Sequence, residues 1–365
     1  MNISELELVN FRNQSKRRFE FSNKITIIIG KNAAGKTNLV EAIFFLAVGR
    51  SFRQGRDFQT IKFGAELARI KGRIETEADK KTLEVVLTTG EVMGIDTPLK
   101  KLVVNEIPKR SIDFAGHLKC VLFWPEHMEL VTDSPTLRRH YLDSVLLQVD
   151  REYRRTLLSY ERGLRQRNKL LLAVRDGKAH EHQLIFWDQL LIKQGNYLTY
   201  KREEFIDYIN KFSLAELTTT GVKYQLFYDK SIISAQRLVQ YQKEEKAAGA
   251  TLVGPHRDDI IFRIKNLELN IKSREEEFLN LSTFGSRGEQ RLAVLWLKLA
   301  ELAFIEEKTG DKPVLLLDDI FSEFDHEHRE IIFGMISNQQ SILTVTDRHL
   351  IPEKYYKRAE VIELD

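Results

Sequence analysis

The sequence is poor in cysteine: among 365 residues there is only Cys120, in LKCVLFW. One thiol closes no intramolecular disulfide, which excludes a cross-linked secreted scaffold. Its apolar neighbours predict a buried core thiol in a reducing compartment. No apolar run approaches the ~18 residues of a membrane span. The opening MNISELELVNFRNQ lacks the basic-then-apolar pattern of a secretory leader. Together these absences predict a cytoplasmic protein with no membrane partner. Charge of one sign is also scarce: 56 Lys and Arg face 53 Asp and Glu, a net of +3. That balance is too mild to imply a nucleic-acid partner on its own. There is no internal repeat, no low-complexity tract and no sustained a/d heptad run of a coiled-coil arm.

Against this background one stretch stands out, GKNAAGKT, comprising Gly30, Lys31, Asn32, Ala33, Ala34, Gly35, Lys36 and Thr37 and followed by Asn38. Before it, Ile25 and Ile27 to Ile29 make a short apolar run, the pattern of a strand buried on both faces. After it, Leu39, Ile43, Leu46 and Ala47 recur at helical spacing. Strand, glycine-bounded loop and helix form the context of a phosphate-binding loop. Gly30 and Gly35 let backbone N–H groups converge on an anion, and the helix start adds a favourable dipole. Lys36 can reach the β- and γ-phosphates of ATP, and Thr37 can offer a hydroxyl to Mg²⁺. Alanine at position 33 requires a φ below zero if it is to be tolerated.

Far downstream, Val314 to Leu317 form another buried-strand run that ends in Asp318 and Asp319. At the carboxyl end of a parallel strand, Asp318 would complete the Mg²⁺ shell beside Thr37. Asp319 would orient or deprotonate the attacking water. Between the halves, Ser286 and Gly288 open a long amphipathic helix carrying Leu292, Leu295, Leu299, Leu302 and Ala303. That is a second helix start suited to an anion. Two such starts and one acidic strand suggest a composite site, with the loop of one subunit facing the Ser286 helix of another.

These motifs span nearly the whole chain: LVNFRN, GKNAAGKTNLVEAI, GRSFR, FWPEHMELVTDSPTLRRHYLD, GPHRDD, SRGEQR and LLLDDIFSEFD. Their set resembles the RecF family of bacterial recombination mediators, within the SMC group of ABC-type ATPases. The most specific pieces are GPHRDD and the P-x-x-R-R-x-x-L-D pattern of Pro135 to Asp143. The resemblance implies an α/β fold, an ABC/SMC-like P-loop ATPase head with a mainly helical second lobe. It implies a weak, DNA-stimulated ATPase of recombinational repair and replication-gap processing, forming an ATP-dependent homodimer on duplex DNA. It also implies binding at single-strand/double-strand junctions, recombinase loading, and the partners RecR and RecO. Asp325 falls in the D-loop, and Thr346 stands where transporters carry a switch histidine. Arg287 and Glu289 depart from the commoner S-Q-G-Q-Q-R signature, while Ser286 and Gly288 remain. Asp319, one methylene shorter than the glutamate of transporters, points to slow hydrolysis. No glutamine presents itself for the Q-loop.

Basic residues recur between positions 138 and 169, among them Arg138, Arg139, Arg151, Arg154 and Arg155. They fit a solvated helix face or a surface gripping DNA phosphates; the resemblance favours the second. Arg12, Arg50 and Arg53 fit nucleotide, DNA or plain surface roles. His256 to Asp259 read as a salt-bridged turn rather than a metal cluster, and Phe321 and Phe324 as packing at the sheet edge or a subunit contact. The organisation predicted is 1–110 as a first lobe, 111–304 as a mainly helical second lobe carrying the signature, and 305–365 as a return to the first. The rivals are another SMC-like head that tethers DNA, a transporter subunit needing a separate membrane protein, and a nucleotide-gated module with negligible turnover.

Overall fold

The computed structural model describes residues 1–53, 55–76, 79–213, 222–265, 278–324 and 326–364. The chain forms two compact units, Met1–Glu129 with Val294–Asp365, and Leu130–Ala293.

The first unit contains a five-stranded parallel sheet in the order Cys120–Phe123, Val314–Asp318, Ser341–Val345, Ile25–Gly30, Glu360–Leu364. Its three central strands read as apolar runs because both faces are covered. Val314–Asp318 and Ser341–Val345 are buried at every position. The helix Lys36–Val48 contacts strands of this sheet and of a second, six-stranded antiparallel sheet. Wedged there, it buries every residue from Leu39 to Val48. The antiparallel strand Leu67–Glu75 alternates instead, burying Ala68, Ile70, Gly72 and Ile74. Gly72 is required by contact, since a Cβ there would lie 2.5 Å from Leu46 Cδ1.

The units divide at 129/130 and 293/294, where the sequence boundaries lie at 110 and 304. The reason is Cys120–Phe123, which pairs with Val314–Leu317 and so belongs to the ATPase sheet. Cys120 is buried, and burial pushes its thiol pKa well up.

The second unit carries the helices Pro135–Val149, Arg151–Arg175 and Leu184–Lys211. Asp150 separates the first two and caps the second by accepting a 2.9 Å bond from Tyr153 N. A small antiparallel sheet joins Lys223–Asp229, Asp259–Lys265 and Leu279–Asn280. The alternation of DIIFRIKNLELNI predicts a strand that continues through NLELNI, and that continuation lies outside the described residues. The helix Arg287–Thr309 begins in this unit's span of sequence and ends in the first's. Among the described residues, no helix is long and apolar enough to cross a membrane.

Candidate nucleotide site

Gly30 ends its strand at the carboxyl edge of the parallel sheet, and Lys36 opens the following helix. Two glycines are obligatory between them. A Cβ on Gly30 would sit 2.6 Å from Leu364 O, and Gly35 has φ 99° with Gln14 and Asn13 side chains pressed against it. Ala33 corrects the sequence expectation: its φ is +68°, in the left-handed region. Alanine is accommodated there at a cost of about 1–2 kcal/mol. The loop has to turn back on itself to gather its N–H groups, so the strain sits where an anion would be bound. Lys31, Asn32 and Ala33 are exposed, and Ala34 is half-buried.

Lys36 is 6% exposed and lies along the loop, its Nζ donating to Gly30 O at 2.7 Å and Lys31 O at 3.0 Å. Asn38 is fixed by Asn13 Oδ1 at 2.9 Å and accepts from Arg53 at 3.2 Å. Asp318 is 2% exposed and accepts from Thr344 Oγ1 at 2.6 Å. Burial raises its carboxyl pKa, opposed by hydrogen bonds from Thr344 and Thr37. The Thr37 hydroxyl and the Asp318 carboxylate are therefore neighbours, a pair of hard oxygen donors that fits Mg²⁺. Asp319 has φ 51° and is tied to the next strand, its N donating to Thr344 Oγ1 at 3.0 Å and Thr344 O at 3.2 Å. Its carboxyl is raised too, by burial first, against the pull of Lys36 and with Asp318 and Glu323 adding.

Thr344 was not singled out from the sequence, where it reads as filler in a buried strand. It holds both aspartates. Thr346 lies just past that strand's end and is exposed. Asp325 lies outside the described residues. Glu126 is a second residue that pattern alone missed. Phe123 is level with Leu317, so the chain after Phe123 leaves the sheet beside Asp318 and Asp319. Burial and Glu129 raise the Glu126 carboxyl, and Arg53 opposes them.

Arg12 and Arg53 converge on buried Glu41. Arg12 grips it through two bonds of 2.9 and 2.6 Å, Arg53 approaches at 3.5 Å, and Ser51 donates at 2.6 Å. Arg50 keeps Nε and Nη2 buried, with no hydrogen-bond partner among the described residues. Phe321 stacks on Phe333 at 5.0 Å, and Phe324 meets Phe123 edge-on at 5.7 Å, so both pack inside the unit.

Ser286 and Gly288 belong to the other unit. The Glu289 carboxylate occupies this helix start, taking Ser286 N at 2.7 Å and Ser286 Oγ at 2.8 Å, while Glu289 N donates back to Ser286 Oγ at 3.3 Å. This is a reciprocal capping box. Gln290 ties the preceding turn through Leu281 O and Gly285 O.

The arginines of the basic stretch separate sharply. Arg138 is 8% exposed, pairs with both oxygens of Asp259 at 2.6 and 2.8 Å, and donates to Leu130 O and Asp133 O. Those bonds take it out of the expected DNA surface and make it a strut. Arg139 donates to Asp258 O at 2.7 Å, and Arg154 to Leu147 O at 2.6 Å. Arg151 and Arg155 are exposed, the latter beside Glu152 at 2.6 Å. The two motifs that carried the resemblance thus meet in one buried network. Arg202 bridges Asp143 at 2.9 Å and Asp258 at 3.1 Å, and Tyr153 donates to Asp143 at 2.5 Å. His256 bonds Tyr160 OH at 2.8 Å and Thr251 O at 3.0 Å, and burial lowers its pKa to about 4. The segment is the salt-bridged turn read from its spacing.

Comparison with known proteins adds independent findings. The family described as the RecF/RecN/SMC N terminal domain matches residues 2–360. A DNA replication and repair protein RecF from Herpetosiphon aurantiacus is 36% identical over 95% of this chain and 94% of its own length. One from Moorella thermoacetica is 34% identical over 100% and 95%. A solved structure of the recombination mediator protein RecF with ATP, in the RecFOR pathway, is similar with TM-score 0.83 at 30% identity, covering 96% of this chain and 93% of that one. An Smc head bound to the C-winged helix domain of ScpA, 16% identical with TM-score 0.52 over 96% and 91%, shares the fold.

Proposed function

The chain belongs to the RecF family of the RecF/RecN/SMC group, and from that premise we propose how its residues carry out ATP-dependent DNA replication and repair. Lys36, Thr37 and Asp318 of one subunit bind ATP with Mg²⁺, and Ser286 and Gly288 of a second subunit close over the γ-phosphate. Thr37 and Asp318 would hold the Mg²⁺, which would supply neutralisation of phosphate charge. Asp319 positions the attacking water, and its raised pKa suits a group that handles a proton. Closure aligns the exposed arginines, Arg151 and Arg155, along duplex DNA or a single-strand/double-strand junction. Hydrolysis is slow, reopens the pair and so times the clamp. The partners on this reading are RecR and RecO, in a cytoplasmic pathway that loads recombinase at gaps.

The observation that carries the proposal is the convergence of Lys36, Thr37, Asp318 and Asp319 at one edge of a parallel sheet, with a second anion-type helix start at Ser286 in the other unit. The test is light scattering of the Asp319→Asn chain, which should hold ATP. Mass doubling only with Mg²⁺ and ATP is the expected result. A monomer with ATP demonstrably bound would reject the composite site.

A further inference from the structure

We propose a second anion site at the opposite edge of the parallel sheet, built for a small phosphorylated molecule. Four neighbouring strands begin there, at Ile25, Val314, Ser341 and Glu360. Because the strands are parallel, the residues just before them are gathered at one edge. Those residues include Lys24, Lys312, Gln339 and Arg358, and they line one cavity of about 420 Å³. That volume falls within the range of small-molecule sites. Its position, one strand length of roughly 17 Å from the phosphate loop, makes it separate from the nucleotide site.

The chemistry of the lining is one-sided. Three cationic side chains line the cavity, and among the described residues no Asp or Glu does. Lys312 donates to Asn338 O at 3.3 Å, which satisfies one carbonyl past the helix His326–Ile336. The half-charge of a helix C-terminus offsets only part of one cation. Lys24 and Arg358 carry charges that the described residues leave without an ion pair. Flexible lysines and a guanidinium fork together match phosphate oxygens. A concave cavity of this size suits a compact polyanion. A duplex backbone instead needs an open stripe along which phosphates can be spaced.

The probe is inorganic pyrophosphate, titrated calorimetrically into the full chain carrying Lys36→Met, which silences the phosphate loop. One site per chain is expected. The triple change Lys24→Gln, Lys312→Gln and Arg358→Gln, all at exposed positions, should weaken binding at least ~10-fold. Melting curves of the variants establish that they are folded. Pyrophosphate binding unchanged by the triple substitution would overturn the site, as would no binding to the parent. Binding of an acidic peptide, in place of pyrophosphate and lost in the triple variant, would overturn the small-molecule occupant.

Discussion

The two helix starts assigned to one nucleotide are built on opposite plans. The Lys36 helix is preceded by Gly35 in the left-handed region and has no acidic residue in its first turn. No side chain caps its first turn, so no carboxylate competes with a phosphate there. The Arg287 helix has Glu289 in its first turn, and that carboxylate already holds Ser286 N and Oγ. An incoming phosphate must displace it. On the proposed reading, one start binds ATP within a single subunit, while the other accepts it in exchange for a capping box. Capping boxes contribute on the order of 1 kcal/mol, so giving this one up would weaken the proposed closure by less than about tenfold.

The largest effect should come from the open start. Lys36→Met removes the ammonium that lies along the loop, and ATP affinity should fall by roughly 100-fold or more. Equilibrium binding of a fluorescent ATP analogue measures this, and near-normal affinity would undo the assignment. Next comes Ser286→Arg, which should leave that affinity nearly unchanged while abolishing the ATP-dependent dimer in light scattering. A dimer of normal mass would mean the second start takes no part. Smaller, and sharper as a test of the contrast, is Glu289→Gln. The amide keeps the shape of the cap but loses the competing charge, so ATP-dependent dimerisation should tighten by about 3- to 10-fold. A weaker dimer would show that Glu289 helps closure instead of opposing it.

The smallest effect is a pH dependence confined to the first site. Burial raises the Asp318 pKa, so the folded, ligand-free chain binds that proton more tightly than the unfolded chain does. Between the ordinary and the raised value the native state carries more protons. Ligand-free stability therefore falls as pH rises through that window. Mg²⁺ with ATP selects the ionised form, so the melting-point gain from ligand should grow with pH across the same window. An Asp318→Asn chain should show a gain that depends less on pH, the raised Asp319 carboxyl accounting for what remains. A wild-type gain that depends on pH no more strongly would count against Asp318 as the metal-side carboxylate.

Much of this site could be read from local pattern. Ile25–Gly30 and Val314–Asp318 are continuous apolar runs because they are central parallel strands, and each ends in residues that face the ligand edge. Ala33 could not be judged that way: its φ is set by where the loop has to send its N–H groups, and no side-chain pattern encodes that. Thr344 was hidden because a threonine in a buried strand reads as core, and its partner is 26 positions away. The basic stretch shows the same division. Arg138 and Arg155 look alike in sequence, and the first becomes a strut because Asp259, 121 positions later, folds against it.

Short-range chemistry was sufficient for the phosphate loop, the acidic strand end, the signature helix and the family resemblance. Each rests on residues adjacent in the chain or spaced by a helix or strand period, and those periods follow from backbone geometry. Three results needed the folded chain: Thr344 as the clamp on both aspartates, Arg138 as scaffold, and the cations gathered at the far edge of the sheet. They depend on contacts between residues tens to hundreds of positions apart, and sheet order and packing, rather than local periodicity, bring those residues together.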